Sequence, residues 1–196
     1  EKLADILKTL KAYRRQYDEI GQTFLNDATV RHRMVGVGNL PQADAKALGA
    51  VGPMLRGSGV AYDIRMMGRG AYGKIGFEPV VETAGDCHAR SKVRIREILY
   101  SVDIIEKCIR QIPEGPVEVK VTGNPAGEYF ARAEQPRGEV IYYAKANGTK
   151  FLQRLRVRTP TFANIPPLLK TLEGCQLADV PVIVLTIDPC ISCAER

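Results

Sequence analysis

Two cysteines near the end of the chain are the residues best suited to chemistry. Cys190 and Cys193 follow Asp188-Pro189 and an apolar run over residues 180–187. A Cys-x-x-Cys pair brings two soft thiolates within reach of one metal ion, and such ligands suit zinc, iron–sulfur clusters and nickel. The same pair can act as a dithiol redox couple. The motif alone therefore predicts a metal site or a redox site and leaves both open.

No second pair of this kind accompanies the first. A structural zinc site needs four ligands, so a zinc ion held here would require two more. A thioredoxin-type site places its pair early in a βαβ unit, and this pair does not lie in such a unit. The remaining candidate ligands are scattered along the sequence: Cys87, Cys108, Cys175, His32 and His88.

Two long helices are expected to support this site. Apolar residues recur at helical spacing from Leu3 to Phe24, which predicts an amphipathic helix. A second helix, the longest, is predicted over Asp86 to Ile112, with the Asp86 carboxylate accepting from unpaired N–H groups at its start. Between them, residues 35–76 are rich in glycine and are predicted to form loops around one short helix over Gln42 to Leu48.

The C-terminal third is predicted to be rich in strands. Strands over Glu139–Lys145 and Lys150–Arg158 flank Asn147-Gly148, which is a strong signal for a two-residue hairpin turn. A loop and a short helix follow over Pro160–Leu172, and the apolar run over 180–187 leads to the cysteines. We predict an α+β fold that is dominated by long amphipathic helices, with a C-terminal β-hairpin or small antiparallel sheet.

The composition of the chain limits the class of protein and the cellular compartment that we expect. The 196 residues, 45% hydrophobic and 26% charged, are ordinary for a globular protein, and we expect residues 1–196 to form a single region. A run of about eighteen apolar residues, as a membrane span needs, is absent. A net charge of +6 suits an acidic partner or nucleic acid. Five irregularly spaced cysteines favour a reducing cytoplasmic setting over a disulfide framework.

The C-terminal residues Asp188-Pro189-Cys190-Ile191-Ser192-Cys193-Ala194-Glu195-Arg196 resemble the terminal signature of [NiFe] hydrogenase large subunits. Further motifs, in the right order, resemble the branch shared by energy-converting hydrogenases and the quinone-site subunit of respiratory complex I. They are Gly52-Pro53-Met54-Leu55-Arg56-Gly57-Ser58-Gly59-Val60, Asp63-Ile64-Arg65, Gly85-Asp86-Cys87, Gln135-Pro136-Arg137-Gly138-Glu139, Arg158-Thr159-Pro160 and Ala178-Asp179-Val180. Over nearly its whole length, the chain thus resembles the C-terminal part of the nickel-carrying subunit of a membrane-associated, energy-converting [NiFe] hydrogenase.

The resemblance implies a role for each residue near the cysteine pair. In that family four cysteines in two pairs hold nickel; Cys190 matches a terminal nickel ligand, and Cys193 matches a ligand bridging nickel to an iron that bears CO and cyanide. Asp188, Pro136 and Arg137 would lie beside this centre, where a guanidinium can hydrogen-bond metal-bound ligands. The family's precursor is cut at a basic residue shortly after the last cysteine, a position that matches Arg196.

The family's first cysteine pair, in an Arg-x-Cys-Gly-x-Cys type of motif, has no counterpart in this chain. We therefore expect the chain to supply only the second pair, and to bind no nickel–iron centre by itself. Cys87, Cys108 and Cys175 are predicted to be structural thiols.

The resemblance implies that the complete enzyme interconverts H2 with protons and electrons and couples this reaction to ion pumping. The expected partners are an iron–sulfur small subunit, membrane subunits and, indirectly, a ferredoxin, with no nucleic acid. The expected location is cytoplasmic, peripheral on the inner face of the membrane.

Two alternative functions stay open. One is a complex-I-type subunit without nickel, since those relatives lack the metal cysteines and often carry Lys at the position of Arg137. The other is a zinc or dithiol binding module.

Overall fold

The computed structural model describes residues 2–195; Glu1 and Arg196, the last residue of the terminal signature, lie outside it. Helical residues outnumber strand residues, which confirms the predicted helix-dominated α+β class. The helices are α1 (Lys2–Asn26), α2 (Ala28–Met34), α3 (Gln42–Ala47), α4 (Pro53–Arg56), α5 (Tyr72–Ile75), α6 (Cys87–Gln111), α7 (Pro160–Ala163), α8 (Ile165–Leu172), α9 (Val180–Thr186) and α10 (Ile191–Ala194), with 3-10 turns at Ile64–Met67 and Leu177–Asp179. The strands are β1 (Ala126–Gln135), β2 (Gly138–Asn147) and β3 (Leu152–Arg158).

The two predicted long helices are present and pack along each other. Each has 25 residues, so the expectation that α6 is the longest helix is wrong. A Cβ atom added to Gly21 of α1 would lie 2.7 Å from Ile95 Cγ2 of α6, so the glycine allows the two helices to approach closely. Asp86 begins α6 as predicted, because its Oδ1 accepts from the Ala89 N–H at 2.7 Å. Its Oδ2 also accepts from the Gly36 N–H at 2.8 Å, which ties the glycine-rich segment to the helix.

The glycine-rich segment wraps around the main hydrophobic core. Leu40 and Met54 from this segment are fully buried, together with Ile183 of α9 and Cys87 of α6. The segment contains more short helical turns than the single one predicted, because α4, α5 and the first 3-10 turn also lie within it. These turns are too short to show helical periodicity in the sequence.

The three strands form one antiparallel sheet in the order β1-β2-β3, and β1 was not predicted. Its sequence shows no clean alternation, and its first six residues are exposed. The predicted two-residue turn at Asn147-Gly148 is wrong, since β2 ends at Asn147 and β3 begins only at Leu152. Asn147 Oδ1 instead accepts from the Thr149 N–H and hydroxyl, and an irregularity in the register follows Lys145. The local side-chain bonds favour a longer loop.

The strand-rich character predicted for the C-terminal third ends at Arg158, because everything regular after β3 is helical. The apolar run that precedes the cysteines forms α9, with Pro181 in its first turn, where the missing N–H would have had no partner. A short apolar run cannot be assigned to helix or strand by periodicity alone. Among residues 2–195, the helices are too short or too polar to cross a membrane.

Candidate metal centre

The turn between β1 and β2, which carries Pro136 and Arg137, is held by a contact between two backbones. Gly52, just before α4, has φ +63°, and a Cβ atom there would lie 2.4 Å from the Arg137 carbonyl oxygen. A Cβ atom on Gly138 would lie 2.7 Å from the Gly52 nitrogen. Glycine at both positions is therefore needed for this approach, which fixes where the Arg137 side chain starts.

Arg137 binds Asp188 through both the backbone and the side chain of that residue. Its Nε donates to the Asp188 carbonyl oxygen at 2.6 Å, and its Nη2 donates to Oδ1 at 3.3 Å. Asp188 has φ +55°, and it is the single non-glycine residue with positive φ among residues 2–195. This strained conformation persists because the surrounding contacts hold it.

A second guanidinium, that of Arg94 on α6, reaches the same carboxylate. Arg94 Nη1 lies 3.6 Å from Asp188 Oδ2, and Nη2 donates to the Thr186 carbonyl at 3.3 Å. Burial lowers the pKa of Arg94 to about 10, while the carboxylate of Asp188 opposes that shift. Its Nε is buried and has no hydrogen-bond partner among the described residues. The sequence places Arg94 in a stretch that resembles the family, but its contact with Asp188 was not predicted, because 94 positions separate the two residues.

The cysteine pair begins two residues after Asp188 and is anchored by two threonines, Thr159 and Thr161. The Cys190 N–H donates to Thr161 Oγ1 at 3.2 Å, and the Thr159 hydroxyl donates to the Cys193 carbonyl. The backbone then turns, with the Cys193 N–H donating to the Cys190 carbonyl at 3.0 Å. Both thiols are partly accessible. The two sulfur atoms therefore share one short turn beside the Arg137–Asp188 pair.

The two thiols differ in their readiness to ionise. Hydrogen bonds from Ser192 and then Cys193 lower the pKa of the Cys190 thiol to about 7. The hydrogen bond to Cys190 is the main reason that the pKa of Cys193 is raised. One thiolate with a neighbouring thiol is a suitable starting point for a soft metal ion.

The donor set fits one half of a tetrathiolate centre. Within residues 2–195, no three or more His, Cys, Asp or Glu side chains are placed to hold a metal ion. Cys87 is fully buried and accepts from Arg90 Nη2 at 3.2 Å, a position that suits the structural role predicted for it. His88 Nε2 lies 3.1 Å from the Leu25 carbonyl oxygen, so it joins α6 to α1.

A cavity of about 460 Å³ opens next to the site, between α1, α6 and the end of β1. Its apolar side is formed by residues such as Tyr13 and Val102 of the two long helices. Its polar side includes Arg94, Glu134 and Asp188. The cavity thus connects the interior of the helix pair with the residues beside the cysteine turn.

Comparison with known proteins gives the family. The family model described as the respiratory-chain NADH dehydrogenase 49 Kd subunit matches residues 1–123 and 119–196. The chain belongs to this family. Curated relatives of this chain include proteins named as hydrogenases, and together with the family match they confirm the predicted resemblance.

Two curated relatives and one solved structure illustrate the match. The carbon monoxide-induced hydrogenase of Rhodospirillum rubrum is 42% identical over 181 residues, covering 91% of this chain and 50% of that protein. The membrane-bound hydrogenase subunit alpha of Pyrococcus furiosus is 36% identical, covering 97% and 49%. A chain from the membrane-bound sulfane sulfur reductase, an archaeal respiratory membrane complex, superimposes with a TM-score of 0.91 at 29% identity, covering 99% of this chain and 55% of that chain. The chain thus spans about half the length of the curated relatives that it matches.

Proposed function

We propose that this chain is part of the large subunit of an energy-converting [NiFe] hydrogenase, in which Cys190 and Cys193 supply two of the four thiolates that hold nickel. The observation that carries the proposal is the placement of the Cys190–Cys193 turn directly beside the Arg137–Asp188 pair, with each part anchored by separate elements. The hydrogenase relatives support the same reading. The other two thiolates would come from outside this chain.

When bound, the nickel–iron centre would supply the chemistry that splits and forms H2. The chain's own residues would orient and surround it. Cys190 and Cys193 present their sulfur atoms from one turn, and Arg137, with its guanidinium already held in direction by Asp188, has N–H groups left to donate to ligands of the centre. Pro136, beside it on the cavity wall, is exposed and would present its apolar ring to the same side.

The proposed setting is a multi-subunit assembly at a membrane. One relative is named as membrane-bound, and the structural neighbour comes from an archaeal respiratory membrane complex. We therefore propose membrane subunits and an iron–sulfur small subunit as partners, with a ferredoxin exchanging electrons indirectly and with the chain peripheral on the cytoplasmic face of the membrane.

A complex-I-type subunit without nickel is the second candidate, and it is favoured by the name of the family itself. The cysteine pair separates the two candidates, because both thiols would bind metal in a hydrogenase, whereas a subunit without nickel has no metal for them to bind. The decisive experiment therefore replaces the cysteines in the complete enzyme.

In the complete enzyme, Cys190→Ser and Cys193→Ser should each abolish nickel incorporation and H2 uptake, since each change removes one thiolate from a shared centre. Cys108→Ser is the matched control, because that half-buried thiol near the end of α6 lines a different cavity, shared with residues of α5, and should leave nickel content unchanged. Nickel and iron are measured by elemental analysis and activity by hydrogen uptake. Normal nickel in the Cys193→Ser enzyme would refute the bridging role.

The 196-residue chain by itself should bind no stoichiometric nickel or iron, because two thiolates leave half of the coordination sphere empty and affinity falls when ligands are not held together in advance. Elemental analysis of the purified chain checks this expectation. Stoichiometric nickel and iron would refute the half-site argument, and stoichiometric zinc would favour the binding-module alternative.

A further inference from the structure

A cluster of five charged side chains is buried on the polar side of the cavity, and its centre is the guanidinium of Arg56. The Arg56 side chain is 1% exposed and contacts three carboxylates. Its Nε donates to Glu97 Oε1 at 2.6 Å. Its Nη1 lies 2.8 Å from Glu134 Oε1 and 3.0 Å from Asp63 Oδ2. The single guanidinium of Arg56 is therefore shared by three carboxylates.

The three carboxylates are not equally well compensated. Asp63 has a second cation, because Arg65 donates to both of its oxygens at 2.9 and 2.6 Å and also donates its backbone N–H at 2.9 Å. Glu97 receives the shortest bond from Arg56 and remains 14% exposed. Glu134 is only 3% exposed, and among the described residues Arg56 is its one ion-pair partner. Its second oxygen has a long bond, 3.4 Å, from the Ile64 N–H.

The neighbouring charges do not correct this imbalance. Glu139 lies opposite Glu134 in the sheet and is itself paired with Arg132 and Arg158. Arg94 lies one turn before Glu97 on α6; its ion pair is with Asp188, and the charge of Glu97 acts on it less strongly. The cluster itself therefore has three carboxylates against two guanidiniums. Burying an uncompensated carboxylate is costly, so the least compensated one should take up a proton.

Glu134 is the group that meets this condition. Burial raises its pKa, and the charge of Asp63 raises it further, while Arg56 opposes the shift. Glu134 also lines the same cavity as Asp188, which precedes the cysteine turn. A protonated Glu134 has one O–H donor and an uncharged carbonyl, which leaves the two guanidiniums of Arg56 and Arg65 against the two carboxylates of Asp63 and Glu97.

We propose that Glu134 takes up a proton more readily than an ordinary glutamate and exchanges it with the cavity, as a proton-exchanging group three residues before Arg137. In the exchange, the proton leaves the carboxyl group of Glu134 for water in the cavity, and the resulting carboxylate later takes a proton back; no oxidation or reduction is involved. The protonation state follows from the geometry of this chain alone, whereas its use in hydrogen chemistry rests on the proposed function.

The first test is made on the full 196-residue chain, with the glutamate carboxyl carbons followed by 13C NMR as the pH is changed and each signal assigned through the backbone. Glu134 should titrate above the ordinary value of about 4.3 for a glutamate. Glu106 is the internal control, since it is partly exposed on α6 and its bond from Arg110 lowers its pKa. A Glu134 signal that titrates at or below the ordinary value would overturn the inference, even if the nickel proposal were correct.

The second test uses the complete enzyme and compares Glu134→Gln with Glu134→Asp. Glutamine cannot release a proton, so Glu134→Gln should retain nickel yet slow the exchange of H2 with D2O by on the order of 10²-fold, as for loss of a general acid–base group. Glu134→Asp keeps a carboxyl group and should recover part of the rate. Wild-type exchange in Glu134→Gln, or loss of nickel from both variants, would overturn the role in proton exchange. A wild-type enzyme without nickel would refute the proposed function instead, and the NMR titration would still decide the protonation of Glu134.

Discussion

Replacement of Gly52 by alanine tests whether the contact between two backbones positions Arg137. Gly52 has φ +63° and ψ −144°, a region that residues other than glycine enter only at a cost of about 1–3 kcal/mol. The new Cβ would lie 2.4 Å from the Arg137 carbonyl oxygen and 2.5 Å from the Gly138 Cα. Both are backbone atoms, so no side-chain rotation relieves the overlap. Overpacking of this kind adds about 1–3 kcal/mol, and we expect Gly52→Ala to lower the free energy of unfolding by about 2–6 kcal/mol in total.

Gly49→Ala is the matched control for this prediction. Gly49 has φ +67°, but no atom lies within 4 Å of a Cβ placed there. It should therefore show only the conformational cost, about 1–2 kcal/mol. Unfolding of both variants in urea, analysed by linear extrapolation, gives the two free energies, and their difference isolates the steric contact.

The same change should have a consequence at the site. To accept the methyl group, the turn that carries Arg137 must move away from Gly52 by more than half an ångström, because a Cβ atom essentially never lies within 3.0 Å of another heavy atom. The 2.6 Å bond from Arg137 Nε to the Asp188 carbonyl would then lengthen or break. In the complete enzyme, Gly52→Ala should reduce nickel content or activity, and Gly49→Ala should not. Equal losses of stability in the two variants would refute the reasoning about this contact.

Two further predictions concern arginines. Arg56→Met should destabilise the chain by about 3–5 kcal/mol at pH 7, because it leaves three buried carboxylates without their shared cation. The deficit should shrink as the pH falls and Glu134, whose pKa is raised by burial, takes up a proton. Arg14→Met removes an exposed pair and should cost at most about 1 kcal/mol in the same urea titrations, while an equal cost for both variants would contradict the buried-cluster argument. Arg137→Lys should retain the metal but reduce turnover in the complete enzyme, because lysine cannot bind the carbonyl and carboxylate of Asp188 together through a planar fork. An unchanged rate would show that Arg137 is only a surface charge.

Local features of the sequence were enough to predict the helical frame and the site motif. The apolar periodicity of α1 and α6 repeats over many turns, and the Asp86 cap acts within one turn, so neither depends on distant residues. The Cys190-x-x-Cys193 motif is likewise local, and together with the other ordered motifs it indicated the family that the comparisons then showed.

Elements whose conformation depends on distant partners were the ones predicted wrongly or missed. Strand β1 has a weak pattern of its own and exists because β2 pairs with it along its whole length. The apolar run of α9 could have formed a strand or a helix by its sequence alone. In the structure it is a helix that packs against α6 and α8.

The arrangement of the site was decided by tertiary structure in the same way. The sequence could name Arg137, Asp188 and the two cysteines, but not the contact of Gly52 with the turn that carries Arg137, nor the approach of Arg94 to Asp188 from a separate helix. The charge balance around Arg56 likewise combines residues from one short helix, one 3-10 turn, α6 and β1. Spacing along the chain specifies which residues share a turn or a face, whereas the distances between separate elements follow from how the whole core packs.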